Sequence, residues 1–455
     1  MATVFVVGAG PAGLFSAQKL ASAGHEVVIF NRDVKPGGLA EYGIYPLKDK
    51  MKTGLRKQFA KVLGLPNVHY FGHVPVGSQS PISIDMLRQF RPAAMLFTVG
   101  AQGNKKLGMT GEDSHGVYSA KDFVYHYNQL PPFASRDFST GKRVAIIGMG
   151  NVMVDIARWL LRDAPNRKAE EVIVIARRGP LEAKFDEKEF AYVQEYLDRA
   201  TFADELQRVK ERMRAVGQDV AKVPEETFLC LTKFPNPPTT VARLTFRFLS
   251  SPTAISSSPD GRIARLTIAD NLLVNRDGNI SAKLTGNTTE LDVDTLIFAI
   301  GDMHDSSLGL PFGSHGYVTC PDPVNPCARY QVFDPAIGKI HPGMYVAGWA
   351  RNPSEGLVGI ARHDGEVGAA HVLDYLQGLQ APDSSASASE IARSLKRKGI
   401  QVVTKADLNR LAKAEEQECG ARNNPYYRFP DDAAMLAAIE RAKSDSAEDV
   451  AVAAQ

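Results

Sequence analysis

The feature that most constrains this 455-residue chain is a local pattern that occurs twice. Near the N-terminus the apolar run Thr3-Val-Phe-Val-Val7 leads into Gly8-Ala-Gly10-Pro-Ala-Gly13, then into small and apolar residues from Leu14 to Ala23. Lys142-Arg-Val-Ala-Ile-Ile147 leads likewise into Gly148-Met-Gly150-Asn-Val-Met153 and a helical stretch ending near Arg162. A short apolar run, a glycine turn and a helix open a βαβ unit whose strands are buried on both faces. The glycines of such a turn divide the work. The first makes the tight bend, the second lets the backbone approach a pyrophosphate, and the third lets helix pack on strand. Phosphates then meet unpaired N–H groups at a helix N-terminus, where the dipole favours anions.

The second strand of each unit refines the reading. After Glu26–Phe30, where an acidic residue accepts both ribose hydroxyls of a dinucleotide, this chain carries Asn31 followed by Arg32. An amide accepts one hydroxyl hydrogen bond and donates another, and it rejects a phosphorylated ribose less than a carboxylate does. In the second unit Met153 occupies the third glycine position, which predicts looser helix–strand packing. Its following strand, Glu171–Ala176, ends in Arg177-Arg178-Gly179-Pro180. Two guanidinium forks at that point suit the 2′-phosphate of NADP(H), the alternative being a pair of exposed surface arginines. Two dinucleotide folds in one chain predict a flavin and a nicotinamide brought together for hydride transfer.

Bulk properties bound the rest. The length predicts two or three domains. A net charge of +2 gives no reason to expect nucleic-acid or membrane binding, and no apolar run is long enough to span a bilayer. The first strand follows only two residues, so no leader peptide is expected. The cysteines, Cys230, Cys320, Cys327 and Cys419, are scattered. They form no Cys-x-x-Cys dithiol and no cluster spacing, and a reducing cytoplasm fits them. His69, His73, His341 and His363 share no metal spacing, so no metal is expected. The charged stretch Phe185–Arg214 reads as a solvated helix face, or as a docking surface for an acidic carrier.

The expected fold is α/β, with two Rossmann-like three-layer dinucleotide-binding domains, for FAD and NADP, and a small C-terminal helical segment. The FAD domain is discontinuous, residues 1–102 and 331–378 enclosing an NADP domain at 103–330. Residues 379–455 hold a Ser/Ala-rich linker, a helical segment and a flexible tail from about residue 444.

With these residues assembled, the chain resembles the adrenodoxin reductase family of ferredoxin–NADP reductases, within the glutathione-reductase-like flavoproteins. The resemblance runs from Val4 to about Ala442, through GAGPAG (Gly8–Gly13), GGLAEYGIYP (Gly37–Pro46), GMGNVMVD (Gly148–Asp155), ARRGPLEAKF (Ala176–Phe185) and YVAGW (Tyr345–Trp349). The Gly-Trp pair of the last is informative, because disulfide-reductase relatives carry Gly-Asp there.

The resemblance implies that Gly8, Gly10, Pro11, Ala12, Gly13, Gly38, Leu39 and Trp349 contact FAD, with Gly356, Leu357 and Val358 facing the flavin ring. It implies that Asn151 and Val152 hold the NADP pyrophosphate, Arg177 and Arg178 the 2′-phosphate, and Glu189 the nicotinamide-side ribose or amide. Asp155 matches an acidic residue near the electron or proton path. Lys48 stands where the family has a histidine, and Glu41 where it has an arginine. The basic pair near the flavin is reduced to Arg351, and Glu355 adds a negative charge. Lys48, Asp155 and Glu189 are accordingly expected to tune or position.

The implied activity is hydride transfer from NADPH to FAD and single-electron transfer to a ferredoxin-type iron–sulfur protein. With no dithiol or cluster of its own, the chain must send its electrons outward. The alternatives are a flavin subunit working beside a cluster-bearing partner subunit, and a catalytically silent dinucleotide-binding scaffold.

Overall fold

The structure is a computed structural model that describes residues 1–325, 327–353, 356–379, 385–424 and 427–453, with backbone alone from 446. Two compact units emerge: Met1–Asn104, Tyr125–Ser135 and Gly301–Gln455 form one, Lys105–Val124 and Arg136–Ile300 the other. Residues 301–330, grouped with the NADP domain on sequence, pack within the first unit.

The first unit is built on a six-stranded sheet in the order Gln331–Asp334, Lys339–Val346, Ala94–Phe97, Thr3–Val7, Glu26–Phe30, Val68–Phe71. All neighbours are parallel except the Gln331–Asp334 edge. The strands are continuous apolar runs because both faces are covered. Val4 and Val6 join one core with Leu14, Leu20 and Val372. Phe5 and Val7 join the opposite core with Phe97, Ile391 and Leu395. That alternation makes three layers.

The second unit holds a parallel sheet in the order Val117–Ser119, Thr295–Phe298, Arg143–Ile147, Glu171–Ile175, Arg243–Arg247. Beside it lies a three-stranded antiparallel sheet of Ser250–Ser257, Ile263–Arg276 and Asn279–Asp292. In each unit the first βαβ strand has its sequence successor on one side and a later strand on the other. Thr3–Val7 lies between Glu26–Phe30 and Ala94–Phe97, and Arg143–Ile147 between Glu171–Ile175 and Thr295–Phe298. Chain direction switches there, and the crevice beyond the strand C-termini is where open α/β sheets bind ligands.

Three local expectations change. The charged stretch resolves into a short helix, Glu187–Phe190, and a long one, Arg199–Arg214. The long helix is not uniformly solvated, because Glu205 is buried, paired with Arg208, and accepts from the Phe248 N–H at 2.6 Å. Part of the Ser/Ala-rich linker starts a helix, Ala388–Arg397, because Ser387 and Glu390 form a reciprocal capping box. The last helix, Asp432–Ala453, runs on through most of the segment read as a tail.

Candidate dinucleotide-binding sites

At the first switch point Gly8 has φ +106°, and a Cβ there would lie 2.6 Å from the Thr98 carbonyl oxygen. Only glycine makes that bend. A Cβ on Gly13 would lie 1.9 Å from the Gly8 oxygen, which fixes how closely the Pro11–Ser22 helix approaches its strand. Gly10 differs: an added Cβ would meet nothing within 4 Å. It caps the helix with no side-chain hydrogen bond, and Pro11 follows at the first helical position, where its missing N–H costs nothing. The turn therefore presents open space in front of a helix N-terminus that its own cap residue leaves unsatisfied.

The loop after the second strand clasps this turn. The Ala9 N–H donates to Asn31 Oδ1 at 3.0 Å, and the Gly37 N–H donates to the Ala9 oxygen at 2.7 Å. Asn31 Nδ2 lies 2.8 Å from the Asp33 oxygen, 2.9 Å from that of Lys35 and 3.1 Å from the Tyr70 hydroxyl. Asn31 was expected to exchange hydrogen bonds with a ribose. In the fold its donors are spent inside the loop, because loop carbonyls surround the buried amide. Gly38, at φ +49°, brings the chain back against Gly10, and Leu39 opens the short helix Leu39–Tyr42.

Glu41 does not present a bare negative charge: Arg56 grips both its oxygens. Burial pulls the Glu41 carboxyl up, and the hydrogen bonds and charge of Arg56 outweigh it, leaving it below the usual range. Lys48 is half-buried and precedes the Asp49–Leu63 helix. One turn on, Lys52 is buried with Nζ 2.7 Å from Asn128 Oδ1, and burial pushes its ammonium down to about 8. Sequence reasoning passed over Lys52. Its signal was weak, a lysine on the face that also carries Phe59.

The returning segment reaches the same turn. A Cβ on Gly348 would lie 2.6 Å from that of Ala12, placing Gly348-Trp349-Ala350 beside the helix N-terminus. The Gly348 N–H donates to Asp364 Oδ2 at 2.6 Å. Arg351 pairs with the same carboxylate and stacks 4.3 Å over the Tyr330 ring, so its charge is already engaged. Gly356 and Leu357 precede the Val358–Gln377 helix, whose Gly365 packs against the Ala12 backbone. That helix begins without a side-chain cap, with Leu357 72% and Ile360 55% exposed, an apolar rim at its N-terminus. Glu355 lies outside the described residues. Residues 8–13, 37–39, 348–350 and the Val358–Gln377 helix thus gather around one glycine turn, and the uncapped helix N-termini, the open face of Gly10 and the apolar rim fit a flavin dinucleotide.

The second switch point repeats this geometry. Gly148 has φ +118°, with the Ala299 oxygen 2.2 Å from an added Cβ, and Gly150 again faces open space. The Asn151–Arg158 helix has no side-chain cap, and Val152 at its start is 47% exposed. Met153 is fully buried. Asn151 turns sideways, its Oδ1 accepting from the Asp186 N–H at 2.7 Å. The Lys184 N–H donates to the Met149 oxygen at 3.0 Å, so residues 184–186 are tied to the turn. Phe185 stacks on Phe190 at 4.6 Å, whereas Lys184, its neighbour in extended chain, is exposed. Lys184 also escaped sequence reasoning, because no spacing rule connects it to a glycine turn.

Arg177 is exposed and Arg178 half-buried at the end of the Glu171–Ile175 strand. Their carbonyls are held by Asn271 Nδ2 at 2.8 Å and the Leu249 N–H at 3.2 Å. Neither guanidinium has an ion-pair or hydrogen-bond partner among the described residues. Asp155 is half-buried on the Asn151–Arg158 helix, and Glu189 half-buried in Glu187–Phe190. No helix among the described residues is long and apolar enough to cross a membrane.

Residues 6–53 match the NAD(P)-binding Rossmann-like domain. The chain is 30% identical over 395 residues to the NADPH-ferredoxin reductase FprA of Mycobacterium tuberculosis, covering 80% of this chain and 81% of that one. It is 27% identical to the mitochondrial NADPH:adrenodoxin oxidoreductase of Salvelinus fontinalis, covering 95% and 90%. The solved structure of Mycobacterium tuberculosis FprA in complex with NADPH superimposes with a TM-score of 0.80 at 26% identity, covering 96% of this chain and 99% of that one.

Proposed function

The chain belongs to the family of NADPH-dependent ferredoxin and adrenodoxin reductases, and on that premise we propose that it draws reducing equivalents from NADPH through FAD and delivers electrons singly to a ferredoxin-type iron–sulfur protein. The observation that carries this reading is the repeated switch-point turn, the second one fronted by two arginines whose guanidinium groups have no partner among the described residues. FAD, when bound, supplies the two-electron to one-electron conversion; the protein supplies binding and orientation.

Gly8 to Gly13, Gly38, Leu39, Trp349 and Gly356 to Val358 hold the flavin dinucleotide. Asn31 supports its turn from behind. Gly148, Gly150, Asn151 and Val152 hold the pyrophosphate of NADPH, Arg177 and Arg178 its 2′-phosphate, and Glu189 its nicotinamide side. Lys48 and Asp155 act as positioning groups near the path of electrons or protons. The acceptor is a free carrier, and the four free cysteines support a reducing compartment, the cytoplasm.

Anaerobic mixing of the flavin-loaded protein with NADPH or NADH tests the reading. NADPH is expected to bleach the flavin faster, and a reduced ferredoxin is expected to form on a second mixing. Arg178→Ala removes one charge-assisted contact, about 1.5–3 kcal/mol, so kcat/KM for NADPH is expected to fall about 10- to 100-fold with little change for NADH. Equal rates with both nucleotides in the unmodified protein refute the assignment.

A further inference from the structure

The C-terminal helices, Lys405–Ala421 and Asp432–Ala453, lie outside both glycine turns, yet they are pinned to the strand and loop that flank the first one. Val403 exchanges backbone hydrogen bonds with Gly72 at 2.8 and 2.9 Å. Lys405 Nζ reaches the carbonyls of Leu65 and Val68 at 3.1 and 2.8 Å. Between these helices lies a small core of Val403, Leu411, Phe429, Met435, Ala438 and Ile439. Among the described residues its one buried member from the N-terminal half is Val34, which the loop after Asn31 inserts into it.

The next residue, Lys35, forms an ion pair with Glu415, the two side chains only 16% and 10% exposed. From there the connections continue inward. The Lys35 carbonyl accepts from Asn31 Nδ2, Asn31 Oδ1 accepts from the Ala9 N–H, and Gly37 closes on the Ala9 oxygen. Three links join Glu415 to the centre of the GAGPAG turn. A loop that must hold a pyrophosphate but carries two glycines loses much entropy on ordering. A hydrophobic peg and a nearly buried ion pair on its outer side are a means of ordering it before the ligand arrives.

We propose that the C-terminal helical pair is a brace that pre-organises the FAD loop, with Lys35 and Glu415 as positioning residues for the cofactor. The proposal rests on placing FAD at the first glycine turn. Removing one member of a nearly buried pair leaves the other charge uncompensated, whereas removing both does not. The cycle of Glu415→Gln, Lys35→Met and the double variant therefore has a characteristic form.

The experiment strips FAD from the full-length protein and titrates it back by flavin fluorescence, at a temperature where each apoprotein is folded by circular dichroism. Each single variant is expected to raise the Kd for FAD about tenfold. The double variant is expected to return to within about threefold of the unmodified protein. The Kd for NADP+ in the second unit is expected to stay unchanged, which a general loss of structure does not allow. Unchanged FAD affinity in both single variants overturns the brace, whatever happens to the melting temperature. Equal weakening of FAD and NADP+ overturns it too. Should Glu415→Gln not fold, Lys35→Met alone carries the test, an unchanged Kd for FAD there overturning the proposal, and Lys35→Arg, which keeps the charge, is expected to bind FAD more tightly than Lys35→Met. An unmodified apoprotein that binds no FAD refutes the first-site assignment itself.

Discussion

The two middle glycines offer a perturbation whose consequences separate folding from binding. Gly10 has φ −76° and ψ −176°, and Gly150 has φ −121° and ψ −175°, extended backbone that alanine adopts without strain. Apart from the chain neighbours, no atom of the described residues lies within 4 Å of an added Cβ at either position. Alanine at either position is therefore expected to change unfolding free energy by no more than about 0.5 kcal/mol. The methyl group enters the space through which the backbone meets a pyrophosphate. Displacing one charge-assisted N–H contact costs about 2 kcal/mol, or roughly 30-fold in Kd at 25 °C. Gly10→Ala is expected to weaken FAD by that factor, and Gly150→Ala to weaken NADP+ while leaving FAD alone.

The first glycines supply the contrast. Gly148→Ala meets the Ala299 oxygen at 2.2 Å with φ at +118°, and Gly8→Ala meets the Thr98 oxygen at 2.6 Å. Both are expected to destabilise the fold by about 2 kcal/mol or more. The assays are urea unfolding of the apoprotein and titration with each nucleotide. A Gly150→Ala protein that binds NADP+ normally refutes the placement of the pyrophosphate. One that unfolds early refutes the claim that this glycine serves the ligand and not the fold.

Two further outcomes concern the charges behind the first turn. Arg56→Ala strands the Glu41 carboxylate, whose side chain is 15% exposed, and is expected to cost about 1–2 kcal/mol at neutral pH, discounted because Arg56 is itself 39% exposed. The folded Glu41 carboxyl is held below its usual range, so its contribution is present above that range and lost as pH falls through the folded value; a stability gap that does not shrink on acidification contradicts the pairing. Lys52 has the opposite sense: burial takes it from 10.5 to about 8, so across that window the unfolded chain holds the proton the folded one has released, and stability from this group rises with pH. Lys52→Met is expected to flatten that rise, by roughly 1–3 kcal/mol in all, in melting profiles from about pH 7 to pH 10; identical profiles refute it.

The sequence by itself determined the two βαβ openings, because a continuous apolar strand, a glycine turn and a helix are local facts that backbone sterics dictate. It also determined where Arg177 and Arg178 stand, just past the end of the Glu171–Ile175 strand, since a residue two or three positions past a strand end has few places to go. Asn31 was legible as an irregularity but not as a clasp, because its partners are carbonyls whose directions depend on how the loop closes. Glu41 read as a charge reversal, and only the Asp49–Leu63 helix shows that Arg56 neutralises it. The C-terminal helices were legible as helices, while their hold on Lys35 through Glu415, 380 residues away, was not. Spacing rules reach one turn or one strand pair; ion pairs and pegs between distant segments are decided only when layers pack. The glycine turns belong to local chemistry, and what steadies them belongs to the tertiary fold.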